Sequence, residues 1–251
     1  MMFVCCDTED DGCFAESDDV IIKESDKMYN TGEDLRQLYG YLKRHESSNN
    51  ADILWRLARA ARDLALKSVG VKSDEKKGLV YEAFECSKRA LEADENNFAA
   101  HKWYAITMGD VGDYEGVKVK ISNAYVIRDH LQRATELNPN DATTLHCLGM
   151  WCFAFADMPR WQHMIAGMIF GTPPTSNYDE AAEYFMQAER VDPNFYSVNL
   201  LMLGKCYKKM KDVKRAMLFL DRTMHYPVVN SEDEKAILEA ELLLKELLGK
   251  K

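Results

Sequence analysis

The sequence predicts an all-α fold of stacked helical hairpins, on three observations. Breakers are scarce: 13 Gly and 6 Pro in 251 residues are too few for the many turns that short strands need. Ala, Leu, Glu, Lys and Met, all good helix formers, recur throughout. Three segments also end alike: Arg89-Ala90-Leu91-Glu92-Ala93-Asp94-Glu95-Asn96, Arg133-Ala134-Thr135-Glu136-Leu137-Asn138-Pro139-Asn140 and Gln187-Ala188-Glu189-Arg190-Val191-Asp192-Pro193-Asn194. Each sets a small Ala at a helix crossing and closes the helix at a polar or Pro-containing turn that starts the next.

In chain order, residues 1–25 are rich in acids and show no helical apolar stripe, which predicts a disordered acidic tail. Order is expected from about Thr31, where Thr31-Gly32-Glu33-Asp34 resembles an N-terminal capping box and Leu35, Leu38, Tyr39 and Leu42 follow at helical spacing. The first helices of the hairpins also agree, through Leu148-Gly149 and Leu203-Gly204, with Leu57-Ala58 and Tyr104-Ala105 as weaker versions. A Gly there lets two helices approach closely.

Together these features resemble the tetratricopeptide repeat, a helical hairpin of about 34 residues that stacks into a right-handed superhelix. Aligned on the anchors, the repeats run 51–97, 98–141, 142–195 and 197–226. The fourth has nearly the standard spacing, and the others are longer by about 13, 10 and 20 residues. A segment at 231–248 with Ile237, Leu238, Leu242, Leu244 and Leu248 predicts a helix that caps the open end of the stack. Residues 26–251 then form one helical-repeat domain.

Charge and cysteine usage narrow the function. The formal charge is −9, and residues 1–30 carry a net of −7, so the body is near neutral. A nucleic-acid binder needs a basic excess to displace counterions, and the chain as a whole has none. The seven Cys include no Cys-x-x-Cys pair, which favours reduced thiols over a zinc ribbon or redox couple. Neither a secretory leader at the start nor a run of about 20 apolar residues is present, so a cytoplasmic protein without a transmembrane segment is expected. His-Glu-x-x-His, Gly-x-Ser-x-Gly and Gly-Lys-Ser/Thr are absent and the six His are scattered; no catalytic residue, metal or cofactor is expected.

Several segments are more specific than the repeat. Leu54 to Asp63 (LWRLARAARD), His101 to His130, Met158 to Ser176 (MPRWQHMIAGMIFGTPPTS) and Val191 to Tyr207 resemble the regulator of microtubule dynamics family, with similarity over roughly Asp26 to Leu248. The resemblance implies a helical-repeat protein associated with microtubules and the mitotic spindle. It also implies that some members are held at mitochondrial or endoplasmic reticulum membranes by an N-terminal apolar segment and bind phospholipid. That segment is missing from this sequence, which favours the cytoskeletal branch, with the spindle and its poles as the expected location.

In such a stack the first helix of each repeat lines the concave face, through positions two, five, six, nine, twelve and thirteen. Repeat one places Trp55, Arg56, Arg59, Arg62 and Asp63 there; repeat two Lys102, Trp103 and Ile106; repeat three His146, Cys147, Met150 and Phe153; repeat four Leu201, Met202, Lys205, Lys208 and Lys209. The expected groove is basic at both ends and apolar between. It suits an extended acidic segment such as a C-terminal tail of tubulin, and equally a phospholipid with its phosphate at a basic end and its chains on Trp103, Met150 and Phe153. The plainer alternative makes the arginines a solvated face and the aromatics core.

Lys205, Lys208, Lys209, Lys211, Lys214 and Arg215 crowd against the single acid Asp212, and Lys211 and Lys214 are candidates for a basic patch outside the groove. The insert from Met158 to Gly171 carries Met158, Trp161, Met164, Ile165, Met168 and Ile169 at helical spacing. Burial between repeats is its simplest outcome; a lid on the groove or a helix lying on a membrane are the alternatives.

Overall fold

A computed structural model describes residues 16–249 except 33, 68–72 and 171–173. Thirteen helices and no strand appear among the described residues: α1 (Asp18–Thr31), α2 (Leu35–Lys43), α3 (Ala51–Lys67), α4 (Ser73–Ala93), α5 (Phe98–Glu115), α6 (Val117–Ser122), α7 (Ala124–Leu137), α8 (Ala142–Ala156), α9 (Arg160–Phe170), α10 (Tyr178–Val191), α11 (Ser197–Lys209), α12 (Val213–Met224) and α13 (Ser231–Leu248). The fold is an all-α, tetratricopeptide-like superhelix. Its hairpins are α3/α4, α5/α7, α8/α10 and α11/α12, each packed on the next.

Side-chain caps set the starts. Asn97 accepts from the N–H groups of Ala99 and Ala100, Asp141 from Thr144, Asn177 from Glu180 and Asp212 from Arg215, so orphan donors at four helix starts are satisfied. The Leu-Gly pairs act by close packing. A Cβ at Gly149 would lie 2.6 Å from the Phe185 ring, and one at Gly204 2.6 Å from the Leu220 side chain. Phe185, Leu203 and Leu220 are completely buried at those crossings.

The start of the chain departs from the expectation. Residues 18–25, read as disordered tail, begin helix α1, which buries Ile21, Ser25 and Met28 against α2 and α3. Its buried positions Ile21, Ser25 and Met28, with Ile22 beside them, do follow a helical stripe, but the four acids Asp18, Asp19, Glu24 and Asp26 obscure it. The capping box also falls differently: Thr31 ends α1, Gly32 closes it at φ 71°, and Asp34 caps α2 by accepting from Arg36 N–H at 2.7 Å. Residues 1–15 of the expected tail lie outside the described residues.

The extra lengths of repeats two and three become helices α6 and α9, which stand outside the succession of hairpins and pack on each other. The insert is therefore not buried between repeats. Trp161, Met164 and Met168 are 53%, 69% and 77% exposed, while Ala166 is the buried residue of α9.

At the other end α13 lies on α11 and α12, with Ala236, Ala240, Leu243, Leu244 and Leu247 against Leu201 and Leu220. The inward positions are largely not those expected. Leu238, Leu242 and Leu248 are exposed, because alanines let α13 come close along its other face. Asp233 locks the dock: it accepts from Ser197 Oγ at 2.6 Å and from the N–H groups of Val229 and Asn230 at 3.1 Å, all at a buried carboxylate.

Candidate partner-binding site

The arginine end of the expected groove is closed by the chain itself. Arg56 makes a bidentate pair with Asp26 of α1, at 2.9 and 2.7 Å, and also donates to the Asp52 carbonyl at 2.8 Å while stacking on Trp55. Trp55, half-buried, donates its indole N–H to Asp52. Arg59 lies 3.5 Å from the Tyr29 ring centroid, and burial draws its guanidinium below the ordinary value. Arg62 donates to Asp110 at 2.5 Å. Burial works against its charge, but Asp110 and Asp63 outweigh that and raise its pKa. These arginines are thus neither a solvated face nor free to meet an acidic segment; an acidic helix of the same chain already covers Arg56 and Arg59.

The middle of the expected groove is largely core. Trp103 and Phe153 are buried, Ile106 is half-buried, and only Met150 is exposed. Lys102 donates to Asp141 at 2.9 Å. Burial alone would raise the Asp141 carboxyl, but Lys102 and Thr144 bring it below its usual value. His146 is buried and donates Nδ1–H to Asn199 at 3.0 Å, and Asn199 donates in turn to the Phe185 carbonyl. Burial lowers the His146 pKa to about 4 and pushes the Cys147 thiol up to about 11, so both are neutral and inert near pH 7.

The lysine end differs. Leu201 and Met202, expected to face a ligand, are core residues at 4% exposure each. Lys205 pairs with Glu239 and Lys208 with Glu246, both from α13, and Lys209 pairs with Asp157. These partners are themselves 41 to 57% exposed at the side chain, so the pairs are screened surface contacts. Beyond them, Lys211 and Lys214 are exposed and make no ion pair among the described residues, and Arg215 pairs with Asp212 and stacks on Tyr207. A shallow depression is lined by Met210, Lys211, Asp212, Val213, Lys214 and Arg215. Lys211 holds φ at 63°, in the left-handed region that favours Gly. There it closes α11, with Asp212 N–H reaching back to the Tyr207 carbonyl.

Sequence reasoning missed the acids that answer the cations. Asp110 stands at position thirteen of repeat two and Asp141 caps the next helix, so repeat register alone could have exposed both. Asp26, Glu239 and Glu246 carried no such signal, since their pairing depends on how α1 and α13 dock. Among the described residues no cluster of three His, Cys, Asp or Glu side chains could hold a metal, and no helix is long and apolar enough to cross a membrane.

The class of protein is set by this architecture: a tetratricopeptide-like helical-repeat scaffold. A thermophilic tetratricopeptide protein of Thermus thermophilus superposes with a TM-score of 0.60 at 15% identity, over 90% of this chain and all of its own. Pseudomonas aeruginosa pilF gives 0.54 at 17% identity, over 93% and 92%. At such identities the likeness is one of fold alone. The family model for regulator of microtubule dynamics protein 1-3 matches residues 21–248, and the chain belongs to that family. Regulator of microtubule dynamics protein 1 of Bos taurus is 52% identical over 225 residues, covering 90% of this chain and 70% of the relative. Regulator of microtubule dynamics protein 3 of Xenopus laevis is 28% identical over 228 residues, covering 90% and 49%.

Proposed function

We propose that this chain is a non-enzymatic microtubule-associated protein of the cytoplasm and cytoskeleton, acting at the mitotic spindle and its poles in chromosome segregation. Its docking surface is the lysine end of the stack, where Lys205, Lys208 and Lys209 adjoin Lys211, Lys214 and Arg215, and its target is the acidic C-terminal tails of tubulin. The observation that carries this reading is the pair Lys211 and Lys214, exposed and without an ion pair among the described residues, beside a depression at the α11–α12 turn. Membership of a family named for regulating microtubules supports the partner.

The two basic ends are not equivalent in this proposal. Exposed lysines steer an acidic segment and exchange their surface partners at little cost, whereas freeing Arg56 from Asp26 would strip a buried cation of its partner. The phospholipid alternative needs Trp103 and Phe153 as an apolar floor, and both are packed into the core.

Co-sedimentation with microtubules tests the proposal. Lys211→Glu combined with Lys214→Glu should weaken binding roughly tenfold, since each exposed charge contributes up to about 1 kcal/mol, while circular dichroism stays unchanged. Added salt and proteolytic removal of the tubulin tails should weaken the parent similarly. Normal binding by the double variant would overturn the assignment of this surface.

A further inference from the structure

Arg56, Arg59 and Arg62 follow one another at single turns of α3, and one of them is left without an answer. Arg56 gives its Nε and Nη2 to the two oxygens of Asp26, at 2.9 and 2.7 Å, and Arg62 gives the same two nitrogens to Asp110, at 2.5 and 3.3 Å. This is the side edge of the guanidinium, whose two parallel N–H groups fit a carboxylate. On Arg59 the same two nitrogens are buried and donate to nothing among the described residues. Asp26 Oδ1 stands 3.7 Å from Arg59 Nη2, outside hydrogen-bond reach.

The shortfall has a structural cause. Arg56 and Arg59 both meet α1, which brings them a single acid. Asp26 commits both oxygens to Arg56, while Tyr29, one turn further along, lays its ring over Arg59 with the centroid 3.5 Å from the guanidinium carbon. The ring face answers the charge but offers the edge no acceptor. A buried donor without an acceptor has lost its water and gained nothing in return. Helix α1 therefore fills this site without completing it. Positions 26 and 29 of α1 answer positions 56 and 59 of α3 in order, so position 29 is the place from which a second carboxylate would reach Arg59.

The rest of the dock is small. Ile21 and Met28 supply its buried apolar contact, with the fully buried Ser25 between them, and polar links further along the helix, Asp18 to Asn50 at 2.8 Å and Glu16 to Tyr41 at 3.0 Å, are exposed.

We propose that the arginine end is a docking site for an acidic amphipathic helix of a protein partner, with α1 as its resident stand-in. The partner carries what α1 lacks, carboxylates at i and i+3, which stand about 4.5 Å apart along a helix as Arg56 and Arg59 do. It also carries apolar residues in the places of Ile21 and Met28 and a small one in the place of Ser25. Such a helix displaces α1, refills the apolar contact and gives the Arg59 edge its acceptor. Recognition reads one face of the incoming helix, and the guanidinium edges select carboxylates by their planar two-oxygen geometry. An extended acidic tail has no side chains to replace Ile21 and Met28, so this site is separate from the lysine end and does not rest on the microtubule proposal.

A fluorescent peptide of residues 16–32 carrying Tyr29→Glu, which holds both acids, tests the site by anisotropy against the full chain. It should bind, and the same peptide with Tyr29→Gln should bind at least about tenfold more weakly. Asp26→Asn in the chain loosens α1 and should tighten binding about tenfold, whereas Tyr29→Glu in the chain completes the site from within and should weaken it about tenfold. Hydrogen exchange over residues 18–31 of the chain should speed up when the peptide binds. Arg59→Lys keeps the charge and loses the two-nitrogen edge, so it should bind the two peptides within about twofold of each other at unchanged circular dichroism. Failure of the Asp26→Asn chain to bind, unchanged exchange in α1, or a preference for the Glu peptide that survives Arg59→Lys would each overturn the proposal.

Discussion

The arginine end and the lysine end look alike as sequence, each a cluster of cations on the first helix of a repeat, and they differ in what folds over them. At the first, α1 lays Asp26 onto Arg56 and Arg59, and Asp110 takes Arg62. At the second, α13 offers Glu239 and Glu246 from its exposed side, and the turn to α12 is left open. A cation at a groove position is therefore only a candidate contact. Whether it meets a partner depends on the exposure of its own counter-charge.

Removing the element that covers each end should have the largest effects. Deleting residues 231–251 uncovers Leu201 and Leu220 and leaves Ser197 without Asp233; a loss of several kcal/mol or aggregation is expected in thermal unfolding, because a terminal repeat needs its cap. Deleting residues 1–31 should likewise destabilise the fold by removing Ile21 and Met28 from the core. A stable, monomeric product in either case would remove the tertiary basis of the comparison.

Charge reversal separates the two ends directly. Arg56→Glu sets a carboxylate against Asp26 and Asp52 in a largely buried site and should cost roughly 3 kcal/mol in denaturant unfolding. Lys214→Glu should leave the unfolding midpoint in place and lower only microtubule affinity. Equal stability for both variants would mean that the arginine end is as open as the lysine end.

Lys211 sharpens the contrast in one residue. At φ 63° a glycine relieves strain, so Lys211→Gly should hold or raise stability by up to about 1 kcal/mol while weakening microtubule binding. A variant that is more stable and binds as well as the parent would show that the lysine is retained for neither purpose.

An effect confined to acid pH belongs to the closed middle. His146 is neutral in the fold, with a pKa near 4 against about 6.5 in the unfolded chain. Its contribution to stability is present above about pH 6.5 and declines as pH falls from there toward about 4, because the unfolded chain takes up a proton that the fold excludes. His146→Gln should flatten part of that slope in unfolding measured between pH 7 and pH 4.

Much of the fold was legible. The Leu-Gly pairs at Leu148-Gly149 and Leu203-Gly204 and the shared Ala-rich endings report local requirements, a close crossing and a helix stop, that any chain must meet with the same few residue types. Helix α1 was missed because Asp18, Asp19, Glu24 and Asp26 outweigh Ile21 and Met28 in composition, whereas burial depends on one face only.

The candidate site was legible in kind and not in place. Sequence by itself determined that helices would stack, that cations would gather at Arg56 to Arg62 and at Lys205 to Arg215, and that Trp161, Met164 and Met168 would share a face. Tertiary structure alone decided that Asp26 and Asp110 answer the first cluster, that Leu201 and Met202 sink into the core, and that the apolar row of α9 faces solvent. Helical periodicity is a local property written within a dozen residues, but exposure depends on which distant element comes to rest against a face, and here α1, α6 and α13 settle it from 30 or more residues away.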